Sequence, residues 1–321
     1  MVKKLIGIDV GGTSVKFAVV STKGEIEEKW SIKTNISDAG SHIVGDIAYS
    51  LNEKLAELKL SKSDITGIGM GTPGSINYTD GTVVNAFNLN WTTVQPISKS
   101  LQALTGLPVF LDNDANVAAL GEAWKGAGGG EPDVVFVTLG TGVGGGVIAN
   151  NRIVRGVAGA GGEIGHVTVA RENGFACTCG KSGCLETIAS ATGVMHVARH
   201  KAPTSKANSK LRDDVLLNNR VSAKDVFDAA KGYDPFAEEV VAYVSSALGF
   251  ALSHIGNILN PACIVIGGGV SAAGDILLDP VRDEFEKNVF STVKHSTKIS
   301  LATLGNDAGV IGAASLVLTE V

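Results

Sequence analysis

VKKLIGIDVGGTSVKFAVVS, residues 2–21, is the stretch on which the fold turns. An apolar run from Val2 to Ile8 meets Asp9-Val10-Gly11-Gly12-Thr13, and a second run, Lys16–Ser21, follows. That order reads strand, glycine turn, strand. It recurs at residues 134–151, VVFVTLGTGVGGGVIANN: a strand over Val134–Leu139, a turn Gly140-Thr141-Gly142-Val143-Gly144-Gly145-Gly146, apolar Val147 and Ile148, and a turn at Asn150-Asn151. One plan used twice predicts two α/β domains. The length of 321 residues gives the same expectation, being more than one hydrophobic core usually organises.

Working outward, a helix pattern covers Ser41–Leu58, and a strand over Ile65–Met70 runs into Gly71-Thr72-Pro73-Gly74. A further strand, Leu107–Leu111, ends in Asp112-Asn113-Asp114, and Ala115–Trp124 has helical character. The glycine-rich GAGGGEP after it reads as a boundary or a surface turn, and the polar residues 201–220 as an exposed connection. A strand over Cys263–Ile266 leads to Gly267-Gly268-Gly269, then come helices over Asp275–Phe290 and Asn306–Leu318.

The 44% apolar share is ordinary, whereas 41 glycines point to turns where backbone approaches something closely. A net charge of −5 with no basic stripe argues against a nucleic-acid partner. Asp9 ends the first apolar run too early for a signal peptide, and no stretch of about 18 uninterrupted apolar residues exists to span a bilayer. The expected location is the cytoplasm, with no membrane partner.

Several constellations carry chemistry. In Asp9-Val-Gly-Gly-Thr, glycine lets backbone N–H groups crowd a phosphate, the Thr hydroxyl adds a donor and the Asp can organise Mg²⁺; an ordinary hairpin turn has the same form. Gly140-x-Gly142-x-x-Gly145 matches the dinucleotide fingerprint, and Glu163 stands near its later acidic position. That fingerprint requires a helix directly after the glycines, and here a strand follows, so a phosphate-gripping hairpin fits better. Gly180-Lys181-Ser182 imitates the end of a P-loop, but Phe175 stands where its first Gly is required. His166 with Cys177, Cys179 and Cys184 supplies one imidazole and three thiolates, a closed tetrahedral set suited to structural zinc. Cys263, inside an apolar strand, reads as core. Asp112-Asn113-Asp114 ends a strand, where a carboxylate could accept a hydroxyl proton during phosphoryl transfer; the same residue types are good helix N-caps. Glu163, His166 and Glu186 bracket the cysteine cluster and offer the hydrogen bonds that sugar hydroxyls require.

Together these segments resemble the ROK family (repressors, open reading frames and kinases) of the actin–hexokinase ATPase superfamily. The resemblance spans the chain: DVGGT at 9–13, GTPG at 71–74, DNDAN at 112–116, LGTGVGGG at 139–146, GGEIGH at 161–166, CTCGKSGCLET at 177–187 and IGGGV at 266–270. The stretch CTCGKSGCLETIASATG looks particularly like the glucokinases of this family. The resemblance implies an ATP-dependent, Mg²⁺-using kinase acting on the 6-hydroxyl of a hexose, glucose first, with fructose, mannose, allose or an N-acetylhexosamine as alternatives. By position it gives Asp114 as catalytic base, and Asn113, Glu163, His166 and Glu186, with Gly74 and Asn88, as hexose-binding residues. Asp9, Gly11, Gly12 and Thr13 match the first phosphate loop, Thr141 and Gly142 the second, and Gly267, Gly268 and Gly269 the adenosine side. His166, Cys177, Cys179 and Cys184 match the zinc ligands. The implied fold is two ribonuclease-H-like domains with an interdomain cleft and a zinc knuckle: a small α/β domain of residues 1–117 plus the terminal helix 305–321, and a large one of 118–304. A homodimer or higher homo-oligomer is common in such proteins. Repressors of the family carry a helix-turn-helix before the kinase-like region, for which a phosphate motif starting at Asp9 leaves no room; a non-catalytic sensor is disfavoured by an intact Asp114.

Overall fold

A computed structural model describes residues 3–320. The chain opens with β1 (Lys4–Val10), β2 (Ser14–Ser21), β3 (Ile26–Lys33) and α1 (Ile43–Glu57). It continues through β4 (Ile65–Thr72), the hairpin β5 (Ser75–Asn77) and β6 (Thr82–Val84), α2 (Ile97–Thr105), β7 (Val109–Asn113) and α3 (Asp114–Lys125). Then follow β8 (Val134–Leu139), β9 (Val143–Ala149), β10 (Arg152–Ile153), α4 (Ala191–Lys201), α5 (Lys210–Leu216), α6 (Ala223–Lys231) and α7 (Pro235–Leu259). The last elements are β11 (Cys263–Gly267), α8 (Asp275–Asn288), β12 (Lys298–Leu301) and α9 (Ala308–Glu320). Of the strand expected over Val2–Ile8, Val2 lies outside the described residues.

The doubled plan is present in the sheets. One has the order β3-β2-β1-β4-β7 and the other β10-β9-β8-β11-β12. In the first, β1 pairs antiparallel with β2, Asp9 opposite Lys16, and parallel with β4, which pairs parallel with β7. In the second, β11 pairs parallel with both β8 and β12.

The chain divides into two compact units, Met1–Gly130, Gly146–Gly161 and Leu304–Val321 in one, and Glu131–Gly145 and Gly162–Thr303 in the other. In the first unit, side chains of β1 alternate between two cores, as a pleated strand requires. Ile6, Ile8 and Val10 join Phe17, Ile47, Leu51, Ile68 and Trp91, while Leu5 joins Ala18, Val20, Val310, Ala314 and Val317 on the α9 side. Helix α9 reaches the sheet because glycine leaves room: a Cβ on Gly7 would stand 1.9 Å from Val310 O, and one on Gly69 1.7 Å from Ala313 O. The boundary falls after Gly130, inside the GAGGGEP turn, and not near 117. A cut at 117 would sever α3, which packs along α9 so closely that a Cβ on Gly312 would meet Val117 O at 1.6 Å.

In the second unit β8 and β11 are buried along nearly their whole length, the mark of a parallel sheet covered on both faces. Helix α7 buries Phe236, Val240, Val244, Leu248 and Leu252. It is the one described helix long and apolar enough to cross a membrane, but 56% of its apolar window is buried, as in a core helix. Residues 201–220 correct the expectation of a bare connection: α5 lies within them, Ser209 capping its first turn and Leu211 and Val215 packed inside. The polar surroundings of those two side chains hid an amphipathic pattern of about two turns. Elsewhere the bounds shift by a few residues: α1 starts at Ile43, α8 ends at Asn288, and α9 starts at Ala308.

Candidate active site

In the first unit, Asp9 lies near the end of β1, and the turn Gly11-Gly12-Thr13 carries the chain into β2. Gly11 N–H donates to Ser14 O (3.0 Å), and the Thr34 hydroxyl donates to Gly11 O (2.6 Å), which holds the turn open from behind. A Cβ on Gly12 would lie 3.1 Å from Asn88 O, so the short helical turn Phe87–Leu89 rests on the glycines and brings Asn88 to them. Gly74, at φ +100°, makes the turn into β5 that a Cβ would block at Val84 O.

Asp114 is the first residue of α3. Asn113 is its N-cap, accepting from Ala115 N–H at 2.9 Å, and Asp114 Oδ1 accepts from the same N–H at 2.9 Å. The capping reading therefore belongs to Asn113, and the Asp114 carboxylate keeps an accessible face. Protein crowded around Asp114 raises its carboxyl above the usual range, against the opposing pull of the Ala115 N–H. Asp9 is raised as well: burial is the largest cause, Lys16 at 3.7 Å opposes it, and the negative charge of Asp114 adds to it. The two strand ends thus place Asp9 within the field of the Asp114 carboxylate. Asp112 differs from both. It is wholly enclosed and paired with Arg155, whose Nε and Nη2 each approach Oδ2 at 2.8 Å.

In the second unit, His166 stands between two carboxylates: Nε2 is 3.8 Å from Glu163 Oε2 and Nδ1 is 3.9 Å from Glu186 Oε1. Nδ1 also lies 3.6 Å from Cys177 Sγ, Cys179 Sγ is 3.6 Å from Cys184 Sγ, and one ligand atom from each of the four lies within 4.8 Å of all the others. Tetrahedral zinc with Zn–S of about 2.3 Å needs sulfur–sulfur edges of about 3.8 Å, so the donor set fits the ion. Burial, aided by a bond to Glu186 Oε1 at 3.0 Å, pushes the Cys177 thiol up to about 12; a backbone bond from Lys181 lowers Cys179. The knuckle's backbone closes through Cys177 N–H to Lys181 O (2.8 Å) and Gly183 N–H to Phe175 O (2.9 Å). Gly183, at φ +76°, would drive a Cβ into Ala170 O at 1.8 Å.

The turn between β8 and β9 lies beside the same cluster: a Cβ on Gly142 would come 2.9 Å from Glu186 Oε2. On its other side Gly140 and Thr141 line a cavity of about 460 Å³ together with Gly269, Val270, Phe227 and Lys231. Gly268, at φ +84°, packs where a Cβ would meet Leu139 O at 2.5 Å, which draws the Gly267–Gly269 turn against β8. The structure accordingly gathers Thr141 and Gly269 on one cavity, and Glu163, His166 and Glu186 on one cluster. Phe227 and Lys231 of α6 border this cavity without any motif in the sequence to announce them. Its Ser222–Asp225 capping box marks a helix start, but nothing in it says which cavity the helix borders. Arg155 is equally silent in the sequence, because a lone arginine in a glycine-rich loop has no pattern of its own.

A model of the ROK family matches residues 5–320. A glucokinase of Halalkalibacterium halodurans is 49% identical over 312 residues, 97% of this chain and 94% of that protein. Among solved structures, a ROK hexokinase from Thermus thermophilus superposes with a TM-score of 0.82 at 30% identity, covering 99% of this chain and 98% of its own. A ROK family glucokinase from Streptomyces griseus, in complex with glucose and AMPPNP, gives 0.73 at 31% identity, covering 98% of each chain.

Proposed function

We propose, since the chain belongs to the ROK family, that it is an ATP-dependent glucokinase transferring the γ-phosphoryl group to the 6-hydroxyl of glucose. The observation that carries this reading is the exposed Asp114 carboxylate at the start of α3, raised above its usual range by the protein around it, with its charge felt by Asp9 at the glycine turn. We assign Asp114 the proton of the attacking hydroxyl, because a base poised above an ordinary carboxylate takes a proton more readily. Asn113, Glu163, His166 and Glu186, with Gly74 and Asn88, are assigned to the hexose. Backbone N–H groups of Gly11–Thr13 and Thr141–Gly142 would cradle phosphates, and the apolar cavity at Gly269 and Phe227 suits an adenosine. Gly267 and Gly268 are assigned to the adenosine side through the turn that brings Gly269 to the cavity, Gly268 packing against the Leu139 backbone. Phosphoryl transfer is mostly positioning and charge stabilisation. Mg²⁺, held near Asp9, would supply neutralising charge for the phosphates, and zinc on His166, Cys177, Cys179 and Cys184 would fix the knuckle. A cytoplasmic homo-oligomer acting on free hexose completes the reading.

The test is ADP release by the purified protein across a panel of hexoses. The expected result is a kcat/KM for glucose above that for fructose, mannose, allose and N-acetylmannosamine. A hexosamine ranking first would overturn glucose as substrate, and no ADP release with any hexose would overturn the kinase.

A further inference from the structure

Asp112 is the carboxylate of the Asp112-Asn113-Asp114 run that the proposed chemistry leaves unused, and it has the most partners. Its side chain has no exposed surface. Oδ1 accepts from Asn113 N–H (2.8 Å), Asn116 Nδ2 (2.7 Å) and the Tyr78 hydroxyl (3.2 Å), while Oδ2 accepts the Arg155 fork. The Arg155 guanidinium also lies over the Tyr78 ring, 4.4 Å from its centroid.

Three segments of the first unit converge on this carboxylate. Tyr78 stands in the turn between β5 and β6, within the segment that follows Gly74 and precedes Asn88. Asp112 itself ends β7 and bonds the peptide N–H of Asn113. Arg155 belongs to the loop after β10, which closes on itself through Gly161 N–H to Arg155 O (2.8 Å) and leans on Tyr78 at Gly159, where a Cβ would be 3.2 Å from the ring. Two residues past Gly161 the chain reaches Glu163.

A buried ion pair is a poor way to gain stability, since apolar residues of equal volume often serve as well or better. What the pair adds is geometry: a planar guanidinium on a carboxylate fixes both partners in distance and direction. We infer that Arg155, acting through Asp112, is a positioning residue for hexose phosphorylation, setting the Asn113–Asp114 peptide and the loop from which Glu163 departs. This rests on the kinase reading. Arg155 touches none of the reacting atoms; its effect passes through the enclosed carboxylate.

The experiment compares wild type with Arg155→Ala, Arg155→Lys and the double variant Asp112→Leu/Arg155→Leu, recording KM for glucose and ATP, kcat and the unfolding temperature. Arg155→Ala leaves a buried charge unpaired, so it should lose stability, raise KM for glucose about tenfold or more, lower kcat and hold KM for ATP within about twofold. Arg155→Lys, which keeps the charge but not the fork, should fold and recover part of the loss. The double variant should regain stability yet keep the raised glucose KM. If it instead shows wild-type kinetics, the pair is a fold staple and the inference is overturned; glucose and ATP constants that worsen together would overturn it as well. Wild type without hexose turnover would overturn the kinase reading, a different result from variants that match an active wild type.

Discussion

Asp112 and Asp114 stand two residues apart in the sequence, and their surroundings divide the work between them. One is sealed under Arg155, Tyr78 and Asn116, while the other keeps an open face with its carboxyl raised by the protein around it. The raised value has opposite consequences for activity and stability. As a base Asp114 must be ionised, so kcat/KM should fall as pH drops through a value above the ordinary aspartate pKa of about 3.9. For stability, a native carboxyl that holds its proton more tightly than the unfolded chain contributes most below the unfolded value, and that contribution is lost as pH rises through the native one. Asp114→Asn should therefore lower kcat by about 10²–10⁴-fold, retain hexose and ATP binding, and unfold at pH 7 at the same temperature as wild type or higher. A pH profile with its acid limb at or below the ordinary aspartate value, or activity within a few-fold of wild type, would remove Asp114 from this role.

At the scale of elements, α9 decides how the first unit packs. Its sequence, AGVIGAASLVLTE, is apolar on nearly every side, and a helix of that kind needs covering all round. Small residues let α3, β1 and β4 supply the cover at close range. Gly312 faces Val117 O of α3 at a distance that admits no methyl group, so Gly312→Ala should force the helices apart and cost about 1–3 kcal/mol. Gly45 is the control: it lies on the exposed face of α1 with nothing within 4 Å of a Cβ, and Gly45→Ala should stabilise by about 0.5–1 kcal/mol. Denaturant melts of the two variants against wild type read both signs, and a neutral Gly312→Ala would show that α9 has slack the packing does not suggest.

At the scale of the whole molecule, the knuckle and the glycine turns serve different ligands in the proposed reaction. His166 presents Nδ1 to the cysteines and Nε2 toward Glu163, so a metal on the first nitrogen fixes the tautomer of the second. Glu186 is two residues past Cys184 and shares the frame. Cys179→Ser should lose bound zinc and some stability, and weaken glucose binding much more than nucleotide binding, because the Gly11–Thr13 turn is held by its own bonds, Gly11 N–H to Ser14 O and the Thr34 hydroxyl to Gly11 O, and only Gly142 of the phosphate turns lies against Glu186. Metal analysis with calorimetric titration of glucose and an ATP analogue checks this. A variant that has lost its zinc and still binds glucose as wild type does would reduce the knuckle to a fold staple.

The doubled strand-turn-strand plan, the glycine turns and the zinc-compatible donor set were all legible in the sequence. Each is local: a glycine turn or a cysteine knuckle is specified within a few residues by backbone freedom and ligand chemistry, and burial of alternate apolar positions does the rest. Less was legible where packing between distant segments decides. Buried Leu211 and Val215 made a helix of a polar stretch, and α9, some 190 residues after α3 in sequence, moved the boundary of the first unit past Gly130 by lying against it. The site divides the same way. Asp112-Asn113-Asp114 announces carboxylates at a strand end, but which of them is open and which is locked depends on Arg155, forty-odd residues downstream, and on Tyr78 upstream. Burial and pairing of a charge are set by everything that folds around it, and no run of neighbouring residues encodes them.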